Sequence, residues 1–295
     1  MPTRFEKSTY KPDYVLHGEV EICLTEELMQ REPSLTLCSL NYFERWAGGI
    51  SHAVLHAVKN TSSFHRIAQY AASDSSFTLR VSTYTIWLDE LQTPTACPFW
   101  HVDRLGDCKI ENNQEYLDLA DPLGFPSFMI VSMFLPDRVV TNKLVDAVST
   151  ELIIEPIERE APFGWSLSAL MHSDIERAFA KNPNLKTINI GNKRIAALSP
   201  NTIHRAGTTE VPGWRYLFRL GLYSNKTRCS LYEDHFVFHN ALFDKASNQV
   251  AFREIGQKHA IYVEPRQRSM PLSSISDSAA NICFKKKLNI LFGHN

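Results

Sequence analysis

The sequence predicts an α+β fold, with an antiparallel β sandwich or barrel behind a set of N-terminal helices. Three observations carry that reading. Helical patterns crowd into residues 25–76, short β-branched and aromatic runs take over from Phe77 onward, and no internal repeat or low-complexity tract interrupts either half. With 295 residues, 44% of them hydrophobic and 21% charged, the chain is long and apolar enough to bury a core, which excludes a disordered or collagen-like chain.

The elements follow in order. Residues 1–24 read as extended and edge-like, with Tyr14, Leu16 and Val20 spaced by polar residues. TEELMQ is a helix with acids in its first turn behind Thr25 as cap. LNYFERWAGGISHAVLHAVKN gives one or two helices with Gly48-Gly49 as the break, and TSSFHRIAQYAASDSS a short helix ending in a loop. FTLRVSTYTIWL, residues 77–88, has the composition of a strand, and Phe99 to Asp103 continues in that style. Residues 106–126 form a polar, Asp- and Asn-rich connection. A loop of that length is uncommon unless it covers a site, so it is expected to form part of a substrate lid. FMIVSMFL is a buried strand and residues 150–157 another; a helix starts at Ser173, with Glu176 completing a capping box, and stops at Asn182-Pro183. KTINI and RIAAL flank Gly191-Asn192 as a hairpin, Trp214 to Tyr223 is a strong strand, and the run around His235 and His239 is a further one. One domain over residues 1–264, with its β core at about 77–240, is followed by a C-terminal extension, 265–295, that begins Ser- and Pro-rich.

Composition also excludes function classes. Thirty-one basic against 32 acidic residues leave a net charge of -1 and no overall electrostatic case for nucleic acid or anionic lipid. The longest apolar run, Phe128 to Leu135, is interrupted by Ser132 and falls far short of the roughly 20 residues a spanning helix needs. The N-terminus lacks the apolar core of a secretion signal. Six cysteines without a CxxC pair read as reduced thiols in a cytoplasm-like compartment. GxGxxG, GxxxxGK[ST], GxSxG and HExxH motifs are all absent, which removes the usual handles of dinucleotide, P-loop, α/β-hydrolase and zincin chemistry.

The segment that carries chemistry is Pro98-Phe99-Trp100-His101-Val102-Asp103. On a strand, His101 and Asp103 project from one face, where an imidazole and a carboxylate can take adjacent corners of one metal ion. Taken alone, the pair reads first as a surface histidine hydrogen-bonded to a nearby aspartate. His204, after a strand and a Pro turn, is a third ligand candidate. In the strand beyond it, Trp214, Tyr216, Phe218 and Leu220 line a core face while Arg215, Leu217 and Arg219 line the other. Guanidinium groups on a covered face need anionic partners. Two histidines and a carboxylate leave three positions open on an octahedral metal, which favours non-haem Fe(II) with a bidentate organic acid and oxygen. A guanidinium in the same cavity pairs with that acid's far carboxylate.

HxD at His101 and Asp103, a distal His204, and an arginine eleven residues beyond it, Arg215, resemble the Fe(II)/2-oxoglutarate-dependent dioxygenases, especially the phytanoyl-CoA hydroxylase-like and taurine dioxygenase-like branches. The resemblance implies a double-stranded β-helix, a cupin-like jelly roll with supporting helices. It also implies His101, Asp103 and His204 as iron ligands, and Arg215 on the C5 carboxylate of 2-oxoglutarate. Arg219 matches a second arginine placed near the C1 carboxylate or an acidic substrate, and strand position nominates Ser132 and Tyr84 as helpers of Arg215 in binding the cosubstrate. The activity implied uses O2 and decarboxylates 2-oxoglutarate to succinate while hydroxylating a C–H bond of a small or medium-sized, anionic or neutral, substrate. Two rival readings are a jelly-roll binding protein with a structural metal or none, and a hydroxylase of protein side chains.

Elsewhere the bland reading prevails. His52 and His56 share a helix face without a third ligand, His235 and His239 share one face of a strand, and Lys285-Lys286-Lys287 is a solvated charge run. Trp87 and Trp100 sit at strand spacing, where aromatic residues belong to the core.

Overall fold

A computed structural model describes residues 5–94, 100, 108–111, 114–117, 125–162, 175, 177–199, 202–224, 235–237, 239–258 and 260–262. Two strands, β1 (Phe5–Tyr10) and β2 (Tyr14–Glu19), precede α1 (Glu26–Arg31), and β3 (Ser34–Ser39) leads into α2 (Leu40–Trp46), α3 (Gly49–Lys59) and α4 (Ser62–Ser73). Strands β4 (Phe77–Leu88), β5 (Gln92–Thr93), β6 (Cys108–Glu111), β7 (Gln114–Leu117) and β8 (Phe128–Pro136) follow, then α5 (Asn142–Ala147). The rest is β9 (Thr150–Ile153), β10 (Ile157–Pro162), β11 (Thr187–Asn189), β12 (Arg194–Leu198), β13 (His204–Ala206), β14 (Gly213–Ser224), β15 (His235–Val237), β16 (His239–Asp244), β17 (Gln249–Glu254) and β18 (Ala260–Tyr262).

The helices start where short polar side chains satisfy their first amides. Thr25, Ser39 and Thr61 accept from the backbone N–H of Leu28, Tyr42 and Phe64 respectively. Helix α3 begins at Gly49 and has no such cap of its own. The carboxylate of Glu32, only 1% exposed, takes that role and accepts from the N–H groups of Gly48, Ile50 and Ser51 at 3.2, 2.9 and 3.1 Å. Burial raises the Glu32 carboxyl above its usual range, and the hydrogen bonds from Ser51 and the backbone pull partly back.

Seven strands form the large sheet, in the order β15-β3-β4-β14-β8-β12-β2, and β11-β9-β13 form a small one. All the pairings in both sheets are antiparallel. On one side of the large sheet Trp214, Tyr216, Phe218, Leu220 and Leu222 of β14 pack with Val81 and Trp87 of β4, with Met129, Val131 and Met133 of β8, and with Phe43, Ile50, Val54 and Ile67 of the helices. On the other side Phe128, Ile130, Ala196 and Leu198 meet Leu152 of the small sheet, with Ile188, Ile190 and Leu217 beside them. The two sheets therefore stack face to face, with the helices on the outer face of the large one. Among the described residues no helix is long and apolar enough to cross a membrane.

A four-stranded sheet, β18-β17-β16-β5, closes one end of this sandwich. Its Leu242 and Ala251 pack with Ile86, Leu88, Phe134 and Val148. Arg253, 1% exposed, donates to the carbonyl of Trp87 at 2.7 Å and to Asp89 Oδ2 at 2.9 Å, which ties that sheet to the end of β4.

Several expectations change. Thr187–Asn189 and Arg194–Leu198 do not pair as a hairpin; β11 pairs with β9 of the small sheet while β12 pairs with β2 and β8 of the large one. The turn's polar groups explain the crossing, because they bond to third segments. Asn192 Oδ1 accepts from Phe134 N at 2.7 Å, Asn192 N donates to Asp146 Oδ1 at 2.8 Å, and Gly191 N donates to Ser149 Oγ at 3.0 Å. His235 and His239 belong to strands of two different sheets, not to one strand. Part of the connection over 106–126 is ordered as the antiparallel pair β6 and β7, where a loop was expected. Residues 175 and 177–181 are helical as expected, while Ser173 and Glu176 lie outside the described residues, as does the C-terminal extension.

Candidate active site

Strand register sorts the candidate residues. Arg215 stands opposite Ile86 on β4 and Phe134 on β8; Leu217 stands opposite Tyr84 and Ser132; Arg219 stands opposite Ser82 and Ile130. Directly paired residues share a sheet face, and Ile130 and Leu217 pack on the side turned toward the small sheet. Arg215, Arg219, Ser132 and Tyr84 therefore all belong to the interior face. Ser132 is buried and Tyr84 half-buried.

Arg215 is 2% exposed, and among the described residues its guanidinium makes one hydrogen bond, from Nε to the carbonyl of Val148 at 3.1 Å, and no ion pair. Burial pushes its pKa down to about 9, still above neutrality, so the group enters this apolar corner charged. A buried cation with one neutral acceptor is costly unless an anion joins it. The residues around it, Ile86, Phe134 and Val148, are hydrophobic and belong to the end that the four-stranded sheet closes.

His204 comes from the opposite wall. It opens β13, pairs with Leu152 on β9, and is 5% exposed. Its Nδ1 lies 2.9 Å from the carbonyl of Thr202. A carbonyl only accepts, so that bond selects the tautomer with the proton on Nδ1 and the lone pair on Nε2. This is how a metal-ligating imidazole is commonly oriented. Gly207 lets the strand lie this close to its neighbour: its N–H reaches Ser149 O at 2.9 Å, and a Cβ there would collide with the carbonyls of Ala147 and Ser149.

The two walls meet on Phe128. Its ring stacks with the His204 imidazole at 6.5 Å between centroids and 25° between planes, and the Arg219 guanidinium lies 5.0 Å from the same centroid. Opposite Phe128 in register is Gly221, where a Cβ would approach Phe128 Cδ2 to 3.1 Å. Phe128 gave no sign of this contact in the sequence. Gly221 did, since an isolated glycine inside a strand marks a close approach. Between the His204 and Arg215 ends, Ser132, Leu217 and Tyr84 form the floor.

His101 and Asp103 lie outside the described residues. Trp100, their sequence neighbour, is buried at 4% exposure with Ile153, Ile157, Ile175, Leu185 and Ile203 on the outer side of the small sheet. Among the described residues no three metal-binding side chains cluster. Trp87 is a core residue, edge-on to Trp214 at 5.5 Å between centroids, and His52 and His56 are exposed on α3. Neither Cys23, exposed, nor Cys38, buried with its Sγ on the carbonyl of Thr36, forms a disulfide with a described residue.

No family model matches this chain, and neither does any curated protein. Among solved structures, HygX from Streptomyces hygroscopicus with iron bound is 12% identical over 72% of this chain and 82% of its own, with a TM-score of 0.35. HygX with nickel and 2-oxoglutarate bound is 10% identical over 76% and 93%, with a TM-score of 0.36. The nickel complex of ThoJ, a non-heme monooxygenase, is 12% identical over 95% and 96%, with a TM-score of 0.28. Likeness at that level carries no argument about this chain, so the functional reading stands on its own residues.

Proposed function

We propose that the protein is an Fe(II)/2-oxoglutarate-dependent oxygenase on a double-stranded β-helix core. The observation that carries the proposal is the pair of unlike groups on facing walls of one interior: a buried imidazole with its tautomer set, and a buried guanidinium that has no carboxylate partner among the described residues. A structural-metal or metal-free binding protein has no use for the second group.

In this reading His101, Asp103 and His204 hold the iron, and the iron supplies oxygen activation coupled to decarboxylation of 2-oxoglutarate. Arg215 pairs with the distal carboxylate of the cosubstrate, and forming that pair offsets the burial of its charge. Ser132 and Tyr84, on the floor between the two ends, offer hydroxyls to the same molecule. Arg219, against Phe128, borders the histidine end, where the C1 carboxylate or an acidic substrate would lie. The apolar walls exclude water from the reacting groups. C–H hydroxylation of a small or medium-sized substrate is the outcome this arrangement favours.

The test is anaerobic. Addition of Fe(II) and then 2-oxoglutarate should give the visible metal-to-ligand charge-transfer band. The band should be lost in His204→Ala and should need far more 2-oxoglutarate in Arg215→Leu. A wild-type protein with no band at any cosubstrate concentration sinks the proposal.

A further inference from the structure

Arg219 has company on the interior face. Register sets Arg80 of β4 opposite Gly221 and Ser82 opposite Arg219, and Gly221 in turn opposite Phe128 of β8. Paired residues share a face, so Arg80 and Ser82 stand on the interior side with Arg219 and Phe128. The inward positions of β4, β8 and β14 hold three arginines, Arg80, Arg215 and Arg219, and no acid. We infer that Arg80, Ser82 and Arg219 form a subsite for an oxyanionic group, a carboxylate or a phosphate ester, on the primary substrate. The assignment to a substrate rests on the oxygenase reading above; the anion site itself does not.

Ser82 supplies the observation that points to a ligand. It is only 4% exposed. Strand β3 bulges beside it, with a register shift between Leu35 and Cys38. Leu37, inside that bulge, takes a left-handed backbone with φ 45°, uncommon for a residue that carries a side chain. Its N–H donates to Ser82 Oγ at 2.8 Å. The hydroxyl therefore acts as an acceptor toward β3, and its own hydrogen reaches no acceptor among the described residues. A buried hydroxyl donor calls for a partner, and this one sits on the interior face directly across from a guanidinium.

The two arginines flank it. Arg219 leans toward β8, with Cζ 5.0 Å from the Phe128 centroid. A guanidinium resting on a ring keeps its in-plane N–H groups for an anion. Arg80 leans the other way, its Nη1 3.5 Å from the carbonyl of Leu37, at the outer limit of a hydrogen bond. The two charges thus stand on either side of Ser82. Like charges on neighbouring strands repel, and an anion shared between them reverses the sign. Arg215 belongs to a different anion, since four residues separate it from Arg219, about 13 Å of strand. Burial runs in the same direction. Strand β4 is half-buried over residues 77–80 and buried over 85–88, so the interior is sealed beside Arg215 and opens toward Arg80, where a substrate enters.

The experiment titrates the full chain, free of metal, with inorganic phosphate and with acetate, read by calorimetry. Wild type should bind at least one of them, and the tighter of the two names the group the substrate carries. Arg80→Leu should weaken that binding by roughly tenfold or more, and Ser82→Ala by about fivefold. Arg80→Lys should recover part, because it keeps the charge and loses the fork, and Ser82→Thr, which keeps the hydroxyl, should stay near wild type. Arg215→Leu should bind the same anion as wild type does. With Fe(II) present, the 2-oxoglutarate midpoints of Arg80→Leu and Ser82→Ala should not move, which separates this subsite from the cosubstrate's. If Ser82→Ala unfolds, Arg80→Leu decides, since Arg80 is only half-buried. Wild-type anion affinity in Arg80→Leu, a loss confined to Arg215→Leu, or a wild-type protein that binds neither anion overturns the subsite. Anion binding that depends on Arg80 in a protein with no charge-transfer band upholds the anion site and removes the oxygenase reading.

Discussion

The two faces of β14 are made by one backbone and obey different rules. Toward the helices, Trp214, Tyr216, Phe218, Leu220 and Leu222 are buried in a continuous apolar cluster. Toward the small sheet, the alternate positions hold Arg215, Leu217, Arg219 and Gly221. The helix-side face follows from the hydrophobic effect alone. The interior face places a charge where burial disfavours it and a glycine where strand propensity disfavours it, two local costs that the helix-side face does not carry. Those costs mark the interior face as the working one.

The largest expected effect tests the stabilising face. Phe218→Ala should lower unfolding free energy by about 3–5 kcal/mol, measured from denaturant midpoints, without altering cosubstrate affinity in the protein that remains folded. The opposite face should respond in the opposite sense. Arg215→Leu should leave stability unchanged or raise it by about 1–4 kcal/mol, as replacement of a buried ion by an apolar side chain often does, while 2-oxoglutarate binding collapses. A strongly destabilised Arg215→Leu protein would make Arg215 a structural residue and erase the contrast.

Glu32 sharpens the comparison from the helix side. Glu32→Gln should cost about 1–3 kcal/mol, because an amide group replaces one acceptor of the α3 N–H groups. Its pH dependence has a definite sign. The folded protein raises the carboxyl above its ordinary value of 4.5, so the stability from the neutral form is complete below 4.5 and is lost as pH rises through the raised value. Wild type should therefore show a downward slope of unfolding midpoint above pH 4.5 that Glu32→Gln lacks. Equal slopes in the two proteins would contradict the assignment. Smallest of all, Ser132→Ala and Tyr84→Phe should each weaken 2-oxoglutarate binding by about 0.5–1.5 kcal/mol, one hydrogen bond's worth, and leave Fe(II) affinity alone.

What the sequence disclosed was local. The helices at 26–31 and 62–73, the break at Gly48, and the strands at 77–88, 128–136 and 213–224 were readable, because cap residues, β-branched composition and period-two alternation act over a few residues. Even the two faces of β14 were legible from alternation. Pairing was not. Gly191-Asn192 carries a hairpin's turn residues, yet its partners are Phe134, Asp146 and Ser149, contacts that no local pattern encodes. Strand β3 hid because it is short, lies between helices, and takes its place beside β4 through a register shift. At the site, Arg215 could be nominated from its neighbours, whereas the meeting of His204 and Arg219 on Phe128 exists only once the sheets are stacked.

Asn192 has a reach beyond its own turn. Its carboxamide oxygen holds the amide of Phe134, the residue in register with Arg215, and its backbone N–H is anchored to Asp146, on the helix that feeds the small sheet. The spacing between β8 and α5 beside the guanidinium is thus gauged by a single short side chain. A residue one methylene longer at 192 would force β8 and α5 apart at that turn, shifting the backbone beside Arg215 without altering Arg215 itself.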